Sequence, residues 1–204
     1  MKTYLSLIAL LAFVLVGCKS NDKETTVEEV VVEETPEFET VIYEPTGKNQ
    51  IVLDTVDDGV MLLGHISTSA IKKTPFKEWY QENYQGHPID SALVDSIKPL
   101  LTGIKIKVYM GSWCEDSQRE VPAFFKIMEH AAAADNIMSL IALDHDKLSP
   151  DGLQEADAIE YVPTIILIKD GQELNRIVEY PQQSLEQDIL TILQGKPYKH
   201  TYAD

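Results

Sequence analysis

The chain has 204 residues and carries 17 Lys and Arg against 33 Asp and Glu, a formal net charge of −16. A balance this acidic argues against a nucleic-acid partner, whose phosphates call for basic patches, and against adhesion to anionic lipid through charge. Its only two cysteines are Cys18 and Cys114.

The opening "MKTYLSLIALLAFVLVGCKS" has a basic start at Lys2 and an apolar run from about Leu5 to Val16. That run is short for a transmembrane helix but has the length and small-residue ending of a secretory leader. Leu15-Val16-Gly17-Cys18 resembles the lipobox of bacterial lipoproteins. The resemblance implies that residues 1–17 are removed and that Cys18 is lipidated. Several acyl chains on one residue anchor durably, since each buried methylene contributes roughly 0.8 kcal/mol. The implied location is the bacterial cell envelope, on the periplasmic side of a membrane, with the outer membrane favoured, or at the cell surface. Such an address places the other cysteine outside the reducing cytosol.

Residues 18–49 follow as a tether. Nine acids lie between Asp22 and Glu44 against one lysine, so charge repulsion and sparse apolar content predict an extended spacer. Val30-Val31-Val32 is the one short stretch there with strand character. An N-terminal extension, residues 50–101, begins the folded part. "VMLLGHIS" at 60–67 predicts a buried strand at the sheet edge. "TPFKEWYQENY" predicts a helix with Thr74 as N-cap and Pro75 at its first position, and an inward stripe of Phe76, Trp79, Tyr80 and Tyr84. "DSALVDSIKPLL" predicts a second helix capped by Asp90 and disturbed at Pro99.

The core is expected over 102–204. "IKIKVYMG" at 104–111 alternates as a strand. A long helix from about Cys114 to Ala134 follows, then the apolar strand "IMSLIALD" at 137–144 and a short helix in "SPDGLQEADAIEY". "TIILIKDGQELNRIVEY" at 164–180 predicts a hairpin turning at Asp170-Gly171. "SLEQDILTILQG" predicts a closing helix capped by Ser184, with Leu185, Ile189, Ile192 and Leu193 inward. This order implies an α/β fold: a central mixed sheet with helices on both faces, the strands at 104 and 137 parallel and the hairpin antiparallel.

"WCEDS" at 113–117 stands at the first strand-to-helix junction of that core. It resembles the W-C-x-x-C signature of thioredoxins, with Ser117 in place of the second cysteine. "YVPTIILIKDG" at 161–171 resembles the segment of that family whose proline is cis and lies against the active cysteine. Pro122, eight residues after Cys114, matches the proline that kinks the family's active-site helix. The resemblance spans roughly residues 102–196. It implies a thioredoxin-like fold and a place in the family's exported, membrane-tethered branch.

Cys114 would then sit at a helix N-terminus, where unpaired N–H groups and the helix dipole favour an anion, while Glu115 and Asp116 oppose it. Ser117 is expected to donate a hydrogen bond to the sulfur, and Trp113 to shield one side of it. A cis Val162-Pro163 bond would leave the Val162 backbone free to pair with an extended client beside the thiol, with Thr164 opening the next strand. Trp113, Glu115, Asp116, Val162, Pro163 and Thr164 are thus the expected substrate contacts, with Cys114 and Ser117 the expected catalytic pair.

Two departures from the family bear on mechanism. Its buried acid, six residues before the cysteine, is here Val108, and Tyr109 points to the opposite face. Ser117 cannot displace a product from a mixed disulfide, so the chain lacks its own resolving thiol. The expected activity is monothiol exchange on exported proteins, isomerase-like or reductive, with an external thiol such as a low-molecular-weight thiol completing the cycle. A non-catalytic binding or chaperone-like module and a single-cysteine redox sensor are the alternatives. Gly111 stands where peroxiredoxins have a threonine. His65, His87, His130, His145 and His200 show no metal-ligand spacing, no phosphate-binding or dinucleotide fingerprint appears, and no cofactor is implied. His65, in an apolar strand, is the histidine to compare with Cys114.

Overall fold

The computed structural model describes residues 48–203, all within one compact unit. The leader, Cys18, Val30–Val32 and nearly all of the tether lie outside the described residues. Among those described, no helix is long and apolar enough to cross a membrane.

The structure is α/β: a six-stranded mixed sheet flanked by helices. Its strands are β1 (Gln50–Leu53), β2 (Val60–Ile66), β3 (Ile104–Met110), β4 (Met138–Ala142), β5 (Thr164–Lys169) and β6 (Gln172–Val178), in the order β1-β2-β4-β3-β5-β6. β3 and β4 are parallel, and every other neighbouring pair is antiparallel. The helices are α1 (Thr68–Ile71), α2 (Lys77–Gly86), α3 (Ser91–Ile97), α4 (Glu115–His130) and α5 (Leu185–Leu193).

Alternation along β3 sets the two faces of the sheet. Ile104, Ile106, Val108 and Met110 join one large core with Leu140, Ile165 and Leu167, while Tyr109 joins a second, smaller cluster with Ile141, Leu143, Ile159, Val162 and Ile166. All five helices deliver their buried side chains to the large core, Phe124, Ile127 and Met128 of α4 foremost. The helices expected on both faces therefore pack on one. The opposite face is covered by irregular chain between β4 and β5, which holds only a 3-10 turn at Glu155–Asp157 where a short helix was expected. Ser149 explains the difference: its hydroxyl donates to Gln154 Oε1 at 2.7 Å and accepts from Leu153 N–H at 2.9 Å. Side-chain bonds of this kind hold a polar segment in turns rather than helix.

Residues 50–101 are part of the same sheet and core. β2 is not the edge, because β1 (Gln50–Leu53, unforeseen in sequence) covers its outer side, and its burial alternates instead of being continuous. α2 begins three residues later than its expected cap. Phe76 is buried, and Lys77 N–H bonds to the Lys73 carbonyl at 2.9 Å, spanning Thr74-Pro75. Phe76 and Tyr80 are buried, with Trp79 and Tyr84 packed at the rim. Asp90 caps α3 through Ala92 and Leu93 N–H, and a 3-10 turn follows at Pro99. α4 stops at His130 rather than Ala134: Ala132 turns left-handed (φ 55°) and Ala133 N–H reaches back to the Met128 carbonyl at 2.9 Å, closing the helix. Asp170 and Gly171 both have positive φ, the two-residue turn that suits strand twist. Ser184 caps α5 by accepting from Gln187 N–H at 3.1 Å.

Candidate functional site around Cys114

The chain leaves β3 at Met110 and enters α4 through Gly111-Ser112-Trp113-Cys114. Cys114 is the N-cap residue; its side chain caps nothing, and its carbonyl accepts the first helical bond, from Gln118 N–H at 2.9 Å. Cys114 is half-buried and packs at the rim of the smaller cluster, and its sulfur donates to the Val162 carbonyl at 3.3 Å. The Val162–Pro163 peptide is cis. The fold thus brings together residues 48 positions apart at one corner, beyond the carboxyl ends of β3 and β4, where α/β sheets place their sites.

Ser117 does not meet the sulfur as expected. It is fully buried, and its Oγ accepts from Gly111 N–H at 3.1 Å. The turn that carries the cysteine needs this bond, because a buried N–H without a partner is costly. Ser112 serves the same turn from the other side, its Oγ accepting from Leu62 N–H of β2 at 2.9 Å.

The expected shelf divides. Val162 offers its carbonyl to the thiol, and among the described residues no hydrogen bond engages its N–H. The Pro163 carbonyl is occupied by Glu179 N–H at 2.7 Å. Thr164 is buried, paired with Tyr109 and Val178 on either side, and its hydroxyl donates to the Tyr161 carbonyl at 2.7 Å. Thr164 is therefore structural. Glu115 is exposed, whereas Asp116 is paired with Arg119 at 2.5 Å and Arg119 also holds Glu120 at 2.8 Å. Burial pushes the Glu120 carboxyl up, and Arg119 opposes that shift. Among the described residues Glu115 is thus the acid of the pair beside the thiol that has no ion-pair partner.

Val108 lies in the helix-side core, and Tyr109 lies on the thiol's face. Tyr109 is not free to move protons for Cys114. Its hydroxyl donates to the Leu153 carbonyl at 2.9 Å and to Asp157 Oδ2 at 2.5 Å, and Lys107 bonds the same carboxylate at 2.6 Å. Burial alone would raise the Asp157 carboxyl, but hydrogen bonds from Lys107 and Tyr109 outweigh it and hold the group below the usual range. The Tyr109 phenol is correspondingly raised, by burial first and Asp157 second.

The indole of Trp113 donates to the Leu143 carbonyl at 3.0 Å and stacks on the His145 imidazole, centroids 4.1 Å apart and planes 21° from parallel. Lys147 Nζ lies 5.5 Å from its centre. His145 Nε2 is within 3.0 and 3.1 Å of the two Asp54 oxygens and 3.9 Å from Asp57. Burial opposes ionisation of Asp54, but the bonds from His145 and from Asp57 and Val56 N–H hold it below the ordinary carboxylate range. These ligand-type atoms of Asp54, Asp57 and His145 lie within 4.8 Å of one another, a grouping that linear spacing of the histidines concealed. His65 makes no hydrogen bond or ion pair with Cys114; its backbone pairs with Ile141. His145, Asp54, Arg119 and Lys147 were missed in sequence, although parallel pairing of β3 and β4 signals that residues just after 142 adjoin residues just after 110.

No protein-family model and no curated protein matches the chain. Among solved structures, a protein of unknown function from Pseudomonas aeruginosa aligns over 58% of this chain and 84% of its own at 19% identity, with a TM-score of 0.46. An HIV epitope scaffold aligns over 58% and 74% at 22% identity, with a TM-score of 0.39.

Proposed function

We propose that this chain is a thioredoxin-like lipoprotein, held in the bacterial envelope through Cys18, that performs monothiol exchange on exported proteins. The observation that carries the reading is the thiol of half-buried Cys114 at the head of α4, 3.3 Å from the carbonyl of Val162. The adjoining Val162 N–H, which has no hydrogen-bond partner among the described residues, supports strand-like pairing of an extended client beside the thiol.

The chemistry begins with loss of the thiol proton to solvent. The Cys114 thiolate attacks one sulfur of a client disulfide; a new S–S bond forms, the client's S–S bond breaks, and the other client sulfur leaves as thiolate. A different client cysteine, as its thiolate, then attacks the client sulfur of the mixed disulfide and releases Cys114, whereas attack by the thiolate that left merely restores the starting disulfide. The route through a different cysteine is redox-neutral and yields isomerisation. With an external low-molecular-weight thiol as attacker at the Cys114 sulfur, the client sulfur departs as a reduced thiolate and Cys114 is left in mixed disulfide with that thiol. A second equivalent then frees Cys114 and departs with the first as their symmetric disulfide. Ser117 has no part in resolution and acts by holding the turn.

The test uses a client peptide in mixed disulfide with glutathione. The full chain is expected to capture the peptide covalently and release it on adding reduced glutathione, while Cys114→Ala captures none. Equal non-covalent retention by both forms, with no adduct in either, favours a binding module instead.

A further inference from the structure

Asp54 belongs to the turn between β1 and β2, far in sequence from the thiol, yet it is 6% exposed, and its carboxylate bonds His145 as well as the Val56 and Asp57 N–H groups of its own turn. His145 in turn lies flat against Trp113, the residue before Cys114. The indole also donates to the Leu143 carbonyl, packs at the rim of the smaller cluster and closely approaches Gly111, where a Cβ would come 2.6 Å from Cε2. Lys147, above the ring, donates to the His145 carbonyl at 2.8 Å, so the loop after β4 is tied at both His145 and Lys147.

We propose that Asp54 and His145 are positioning residues for Trp113, so that the turn between β1 and β2 sets the apolar wall of the Cys114 site. The inference rests on Cys114 being the reactive centre, and it gives the N-terminal extension a role in the chemistry. An imidazole restrained by two carboxylate oxygens loses most of its freedom to rotate, and a flat ring stacked on it inherits the restraint. Without that tie the indole would pivot about its Nε1–H bond and change how much of the sulfur a client can reach.

The test is a double-mutant cycle in the full chain carrying Trp79→Phe, so that Trp113 is the only indole. Two readouts are taken: Trp113 emission, and the rate of Cys114 modification by iodoacetamide, followed on its own peptide by mass spectrometry. Asp54→Ala is expected to shift the emission and change the modification rate by about tenfold. His145→Phe retains a flat stacking partner but not the tie, so adding Asp54→Ala to it should change neither readout further. An unchanged emission, an unchanged rate, or the same effect of Asp54→Ala with either residue at 145 overturns the proposal. Should Asp54→Ala fail to fold by circular dichroism, Asp54→Asn is put through the same cycle and judged by the same outcomes. The emission readout does not depend on turnover, so a wild-type chain inactive towards disulfides would sink the exchange reading while leaving this coupling standing.

Discussion

Leu143 N–H donates to the Met110 carbonyl at 2.8 Å, so β3 and β4 end level with each other. The loops that follow, 111–114 and 143–147, therefore share one corner of the sheet. Every contact of Trp113 described above comes from that meeting, and the thiol inherits its surroundings from it.

Gly111→Ala should disturb the site without touching the cysteine. A Cβ there would meet the indole at 2.6–2.9 Å, closer than packed atoms tolerate. The expected cost is about 1–3 kcal/mol of stability, measured by urea denaturation, together with a shift in Trp113 emission. A variant as stable as wild type with unchanged emission would mean that the ring yields freely.

Ser117→Ala should cost about 1–3 kcal/mol, because it strands the buried Gly111 N–H. Since the hydroxyl does not bond the sulfur, the alkylation rate of Cys114 in the still-folded variant should stay within about twofold of wild type, well under the tenfold that 1.4 kcal/mol represents. A large loss of reactivity with little loss of stability would restore Ser117 as the sulfur's donor.

Asp157 gives a pH signature. Its carboxyl is held below the ordinary value of 3.8 in the folded chain, so the ionised form is favoured by folding. The stability it contributes is complete above that ordinary value and disappears as pH falls through the lower, folded-state value. The stability difference between wild type and Asp157→Asn should accordingly be flat from neutral pH down to about 4.5 and shrink below 3.8. A difference that grows on acidification would contradict the arrangement around Lys107 and Tyr109.

Much of the scaffold was legible because it depends on local rules. The alternation of Ile104, Ile106 and Val108, the Asp170-Gly171 turn and the caps at Asp90 and Ser184 each act over a few residues, and each appears in the structure. What escaped depends on partners distant in sequence or on competition. Ser149 and Gln154 outcompete a helix whose apolar positions are too few. Lys73 takes the bond that Thr74 was expected to arrange. The site was half legible: "WCEDS" and "YVPT" mark the thiol and the carbonyl beside it, while Ser117, Thr164 and Arg119 act through bonds that spacing cannot display. The tie from Asp54 to His145 spans 91 residues, and only the sheet order reveals it.

The most direct measurement is intact-mass spectrometry of the full chain after reaction with the glutathionylated peptide, under conditions that quench free thiols with acid. A single adduct of peptide mass, mapped to Cys114 and removed by reduced glutathione, is the expected result. A chain that carries no adduct at Cys114 while the peptide keeps its glutathione would contradict thiol exchange at this site.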